Sequence, residues 1–348
     1  MTSRERVQVA CRRGKPDRIP RDMWMEHGVA AELQARLPGQ DILEYFRVDV
    51  RGVGGNPTRR QTDFSPYFDR PVEWDEWGRG RVWDTKRHYA EYFYPLQNAR
   101  SRADIEEYPW PDLTEDYRYE GVEERVKALQ EAGYAVFAAL AETVFEIAWQ
   151  LRSMEGLFED MKFRPDWAAA LLDRITERKA FAAAKFAEAG VDVVQVGDDV
   201  AMQTGLMMRR ETWREWFGPR LRRVIGAAKE ANPEVLIWYH SDGNVTDLIP
   251  DLIEAGVQIL NPVQPECMDQ AWVKREYGDR LAFWGGLGVQ SVLPFGTPEE
   301  VRQHVQQVIQ ALGHDGGFVV GPSHVLERDT PFENILAMRA AIDEFGGY

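Results

Sequence analysis

Cysteine is almost missing from this 348-residue chain: Cys11 and Cys267 are the whole supply. Two thiols build neither a disulfide framework nor a Cys-rich zinc motif. Long apolar runs are missing too. The opening Met1-Thr2-Ser3-Arg4-Glu5-Arg6 lacks the apolar core of a secretory signal, and no later run approaches a membrane span. Positive charge is in deficit, with 42 Lys and Arg against 57 Asp and Glu, a net charge of −15. That balance argues against nucleic acid and anionic membranes as general partners, while leaving room for a local basic pocket. No Gly-x-Gly-x-x-Gly or Walker-type phosphate loop occurs, and no His-Glu-x-x-His. On these absences a soluble, cytoplasmic protein is expected.

What is present is an ordinary globular composition, 44% hydrophobic and 28% charged, in a chain long enough for two domains or one α/β barrel. The most informative stretch is Val235–Gly243, five strand-forming residues running into His240-Ser241-Asp242-Gly243. An apolar run of this kind marks a strand covered on both faces, and its carboxyl end lies where α/β folds place their chemistry. Residues two apart on a strand share a face, so His240 and Asp242 can reach one ion.

Around it the chain alternates strands with helices. Strands are expected at Ile19–Met25, Tyr45–Val50, Tyr134–Leu140, Val191–Val196, the 235–243 run, Gln258–Asn261, Leu281–Trp284 and Gly317–Val320. Helices are expected between them, among them Trp167–Ala189, Arg210–Ala231 and Pro298–Leu312, the last opened by the capping signature Thr297-Pro298-Glu299-Glu300. Eight β-then-α units predict one domain, a (β/α)₈ TIM barrel over residues 1–348, with an open doubly wound sheet as the alternative. Residues 56–118 break the rhythm with aromatics, prolines and turn residues. They read as an insertion over the carboxyl-terminal face, with a hairpin at Val72–Asp84 centred on Gly78-Arg79-Gly80.

On a barrel, one face collects Glu26 and His27, Asp49 and Arg51, Glu142, Asp198 and Asp199, His240 and Asp242, Gln264 and Glu266, and Ser323 and His324. Each has a plain alternative. Asp198 or Asp199 and Ser323 are expected to cap following helices, and His304 to be solvated. Three of the six histidines, His27, His240 and His324, nevertheless fall at strand ends. His240, Asp242 and His324, with Glu142 nearby, offer nitrogen and carboxylate donors suited to Zn²⁺ and also to Fe, Mn, Co or Ni.

Several stretches resemble the uroporphyrinogen decarboxylase superfamily. They are Arg4-Glu5-Arg6-Val7 with Lys15-Pro16-Asp17-Arg18-Ile19-Pro20, Tyr239–Asn244, Ile259–Pro265, Phe283–Gly286, Leu293–Val301 and Pro331–Ile335. The resemblance implies a single barrel with its cleft at the carboxyl strand ends. True uroporphyrinogen decarboxylases share an Arg-Gln-Ala-Gly-Arg stretch whose arginines hold the substrate carboxylates. The matching Glu26-His27-Gly28-Val29-Ala30 has neither arginine, and cationic forks are what a polycarboxylate needs. Their catalytic aspartate matches Asp49. The superfamily's other branch comprises methyltransferases between corrinoid proteins and thiols, with zinc held by a His-x-Cys pair and a later Cys. The matching positions are His240-x-Asp242 and His324, so a ligand-capable residue stands at all three places.

The leading expectation from that resemblance is a metal-dependent methyltransferase-like enzyme. His240, Asp242 and His324 would hold the ion, and Glu142 would be a fourth ligand or general base. Asp49, Arg51, Glu26, His27, Asp199 and Gln264 would meet a small polar substrate, under Trp74, Trp77, Trp83 and Tyr89. A corrinoid on a partner protein would give or take the methyl group, and a homodimer is permitted. The alternatives are a metal-free decarboxylase centred on Asp49 and a non-catalytic binding barrel.

Overall fold

The computed structural model describes residues 1–83 and 90–348. Seven strands form one parallel sheet in chain order: β1 (Val50–Val53), β2 (Ala135–Ala139), β3 (Val193–Gly197), β4 (Leu236–His240), β5 (Ile259–Asn261), β6 (Ala282–Leu287) and β7 (Phe318–Pro322). Consecutive neighbours in an all-parallel sheet require a crossover after each strand, and helices supply most of them.

The expected first strand, Ile19–Met25, is an extended segment with only isolated bridges at Arg21 and Met25. Its Pro20 has no amide to give. The segment still joins the two edges of the sheet. Asp22 N donates to Val320 O and Val320 N to Pro20 O, both at 2.9 Å, while Asp49 N donates to Arg21 O at 2.9 Å on the β1 side. The result is an α/β fold of TIM-barrel type. A second correction concerns Tyr45–Val50. The chain there makes a turn of helix, Ile42–Tyr45, and β1 begins only at Val50. Asp41 caps that turn by accepting the Glu44 amide at 2.9 Å.

Alternation along the strands fills the barrel. Trp238 on β4 stacks on Trp284 of β6, centroids 4.5 Å apart at 14°, and meets Trp24 and Phe137 at 5.3 and 5.7 Å. Both stacked indoles are almost wholly buried, and such pairs add ~0.5–1.5 kcal/mol beyond area burial. The helix Ser3–Cys11 closes the amino-terminal end: Arg4 and Gln8 bond Asp192 at 2.9 and 2.7 Å, and Arg6 bonds Asp49 at 2.8 Å.

Between β1 and β2, Glu73–Trp74, Gly80–Trp83 and Ala90–Phe93 make a three-stranded antiparallel sheet. The expected hairpin falls on its first two strands; Asp84 and Tyr89 lie outside the described residues. Among the described residues no helix is long and apolar enough to cross a membrane.

Candidate metal centre

His240 ends β4 two residues beyond Trp238, so it shares the inner face of that strand one step nearer the carboxyl mouth. Register sets it between Gly197 on β3 and Asn261 on β5. A Cβ at Gly197 would stand 2.3 Å from the His240 carbonyl oxygen, so only glycine permits this approach. Gly243, at φ +83°, then turns the chain past the Ala201 and Met202 carbonyls.

Asn261 sets the orientation of the ring. Its Nδ2 donates to Trp284 O at 2.8 Å, which fixes its Oδ1 as the partner of His240 Nδ1. Nδ1 therefore carries the proton, and Nε2 keeps its lone pair on the other side of the ring. Nε2 lies 3.9 Å from Asp242 Oδ1 and 3.9 Å from Asp199 Oδ1. The His324 ring, just past the end of β7, stands 6.1 Å from the His240 ring between centroids. One donor atom each from His240, Asp242 and His324 fall within 4.8 Å of one another.

Asp242 Oδ1 is buried and has no hydrogen-bond partner. Burial raises the Asp242 pKa, with Asp199 and Glu266 adding to the rise and both imidazoles opposing it. An orphaned carboxylate oxygen beside two imidazoles is what a cation would satisfy. Zinc bonds of ~2.0–2.2 Å set tetrahedral donors roughly 3.4 Å apart, so small side-chain rotations close the remaining gap. The donor set fits the ion.

The other expected residues divide. Asp199 belongs to this corner, accepting the Asp242 amide at 2.8 Å. Gln264 is also here, accepting the Gly243 amide at 3.2 Å. Glu142 is on the rim, but its partner is Arg79 at 3.0 Å. Burial alone would raise its pKa, and Arg79 with Lys179 outweighs that and holds it low. Glu26 caps the helix His27–Arg36 and pairs with Arg328 at 3.0 Å, and His27 is exposed.

Two expectations for this face are corrected. Asp49 precedes β1 and therefore sits at the amino-terminal end of the barrel, wholly buried, holding Ser3, Arg6, Arg18 and the Arg21 amide. Arg51 bonds Glu44 and backbone carbonyls and covers the Tyr134 ring at 3.8 Å. Neither is part of the cluster.

Smaller expectations also shift. Asp198 does cap a helix, but the preceding one, Phe145–Arg152, accepting the amides of Thr143, Val144 and Glu146 at 3.0–3.1 Å. Ser323 Oγ is buried without a partner and caps nothing. His304 is not solvated, because its Nε2 accepts the Gly288 amide at 3.0 Å.

Comparison with known proteins then places the fold. Residues 91–345 match the family described as Uroporphyrinogen decarboxylase (URO-D). The chain belongs to the uroporphyrinogen decarboxylase family. Within the family it is similar to the methylated-thiol–coenzyme M methyltransferase of Methanosarcina mazei, 25% identical over 283 residues, 80% of this chain and 71% of the relative. It is about as similar to the uroporphyrinogen decarboxylase of Chlorobaculum parvum, 24% identical over 255 residues and 70% of each chain. The methylcobamide:CoM methyltransferase MtaA of Methanosarcina barkeri is 26% identical over 200 residues, 57% of this chain and 55% of the relative. A solved structure, a methyltransferase from Methanosarcina mazei, shares the fold with a TM-score of 0.69 at 20% identity, covering 99% of each chain.

Sequence reading missed several neighbours of the site. Asn261 was legible as the polar end of a strand at the height of His240. Glu146 gave less warning, because it lies inside a helix. Its carboxylate accepts the Asp199 amide at 2.9 Å, and burial with Asp199 and Asp198 close by pushes its pKa up.

Proposed function

We propose that this chain is a metal-dependent methyltransferase, with zinc or another divalent transition metal held by His240, Asp242 and His324. A corrinoid carried by a separate protein serves as methyl donor or acceptor. The observation that carries the reading is the convergence of those three donors on one point of the carboxyl rim, with Asp242 Oδ1 buried and unpartnered. Two methyltransferases among the relatives support it.

Bound zinc would supply Lewis acidity toward a substrate oxygen or sulfur. The chain's own residues do the rest. Asn261 holds the His240 ring with Nε2 inward. Asp199 holds the Asp242 backbone. Glu142 fastens Arg79, and with it the aromatic segment, to the rim. Asp199, 3.9 Å from His240 Nε2, and Gln264, on the Gly243 amide, are the groups that would meet a small polar substrate, together with Glu26 and His27. Of the proposed aromatic cover, Trp74 and Trp83 are exposed enough to serve, whereas Trp77 is buried against Trp110. Carboxylate and imidazole leave an ion more electropositive than two thiolates would, so the methyl acceptor differs from a thiol of the coenzyme M type.

The decarboxylase reading has less support. Glu142, Glu146, Asp199, Asp242 and Glu266 make the mouth acidic, and Arg79 and Arg328 are already paired there. A polycarboxylate would meet like charge.

The test is demethylation of free methylcobalamin, followed by absorbance, in the presence of candidate acceptors. Activity is expected to vanish with a chelator and return with Zn²⁺. Chelator-insensitive turnover of uroporphyrinogen would replace this reading with the decarboxylase.

Asn261→Leu keeps the branched shape of the side chain but removes both the acceptor at His240 Nδ1 and the donor to the Trp284 carbonyl. Metal affinity, measured by competition with a chromophoric chelator, is expected to drop ~10–100-fold. An unchanged affinity would show that ring orientation does not matter.

Metal affinity is also expected to fall with acid. A ligand atom that gains a proton cannot bind the ion, and burial already biases Asp242 toward its protonated form. Affinity should be level in weak base and, below the ordinary imidazole range, fall by up to roughly tenfold per unit for each proton displaced. A flat profile would exclude the imidazoles as ligands.

A further inference from the structure

A cavity of about 260 Å³ lies on the flank of the rim, between the end of β2 and the helix Pro165–Glu188. Lys179, Glu76, Arg118, Trp77, Tyr119 and Phe186 are in its walls. None of the residues lining it belongs to the His240 cluster.

Lys179 is only 6% exposed. Its ammonium donates to the Leu140 carbonyl and lies 5.5 Å from the centre of the Trp77 ring. An ammonium has three donors. Among the described residues, no second acceptor and no carboxylate is in contact with it.

The acids acting on Lys179 from farther away are Glu142, Asp198 and Glu76. Each is committed elsewhere. Glu142 pairs with Arg79 at 3.0 Å, Glu76 pairs with Arg118 at 2.8 Å, and Asp198 caps the helix Phe145–Arg152. A buried ammonium without a counter-ion in contact is costly. Burial lowers its pKa to about 8, which still leaves it mostly protonated at neutral pH.

We propose that this cavity binds a small organic carboxylate, its oxygens on the Lys179 ammonium and its apolar body against Trp77, Tyr119 and Phe186. The volume equals that of roughly nine waters at ~30 Å³ each. It lies below the ~300–1,000 Å³ of drug-sized pockets. A benzoate-sized acid fits, and a tetrapyrrole or corrinoid does not. The site stands independently of the metal centre and of the proposed methyl transfer.

Benzoate and its neutral isostere benzamide, titrated against the full-length chain, test the proposal. Benzoate is expected to raise the melting temperature and to give saturable heat in calorimetry, and benzamide to do neither. Lys179→Met is expected to weaken benzoate at least about tenfold. A crystal soaked with 4-bromobenzoate gives a readout without any variant, an anomalous bromine peak inside this cavity. Equal binding of benzamide, no benzoate effect, undiminished affinity in Lys179→Met, or bromine only elsewhere would each overturn it.

Discussion

Replacing both His240 and His324 by alanine is expected to take bound metal from about one ion per chain to nearly none. The two rings come from strands that are not neighbours, β4 and β7, yet their donor atoms and one from Asp242 lie within 4.8 Å. No single residue makes a site of this kind. Each ligand lost leaves fewer than the three protein donors that catalytic zinc sites keep. Either single replacement should therefore cost more affinity than the ~10–100-fold typical of an outer-shell change such as Asn261→Leu. The double replacement should leave no measurable site.

The measurement is metal content by elemental analysis after dialysis against limiting Zn²⁺, with a thermal melt to show that the variant is folded. Full metal occupancy in a folded double variant would remove the metal from the function of this protein. It would leave the family and the fold untouched, because these rest on the match over residues 91–345 and on the parallel sheet.

How much of this was legible in the sequence depends on the range over which each feature is determined. Strand β4 and its polar end were readable because a buried parallel strand is written as consecutive apolar residues, Val235 to Tyr239, and its register is local to the chain. The capping box at Thr297 was readable for the same reason. Thr297 Oγ1 accepts the Glu300 amide at 3.3 Å, and the Glu300 carboxylate accepts the Thr297 amide at 2.7 Å.

What failed was decided across space. His304 sits on an amphipathic helix, and what turns its ring inward is an amide sixteen residues away, that of Gly288. Ile19–Met25 fills a strand's place between the two edges of the sheet, but with a proline in it and only a few bonds to each edge it makes isolated bridges. Arg79 was readable as a turn residue only. Its contact with Glu142, which ties the aromatic segment to the rim, depends on how that segment folds back.

Asp49 is the sharpest case of this kind, and it carries the second large prediction. A residue at the boundary of an expected strand is easily given the wrong end of it. A strand at 45–50 sends Asp49 toward the chemistry, whereas β1 at Val50–Val53 leaves it at the amino-terminal end. There its carboxylate collects Ser3 Oγ at 2.6 Å, Arg6 Nη1 and two Arg18 nitrogens at 2.8 Å, and the Arg21 amide at 2.8 Å. It thus pins the first helix and the barrel-closing segment to β1. The group is wholly buried, and Arg6 and Arg18 are both mostly buried beside it.

Among the described residues, Asp49→Ala removes the one anion paired with Arg18 and leaves Asp17 as the one anion paired with Arg6. Breaking a buried pair from one side costs about 3–5 kcal/mol, a large fraction of the ~5–15 kcal/mol that holds a typical domain folded. Urea denaturation is therefore expected to show a sharply lower midpoint, while metal content per folded chain stays unchanged. The opposite pattern, an unshifted midpoint with activity lost, would return Asp49 to the substrate and move the chemistry to the other end of the barrel. The hydrogen bonds that surround it leave no side of the carboxylate turned toward the mouth, and the expected loss is accordingly one of stability.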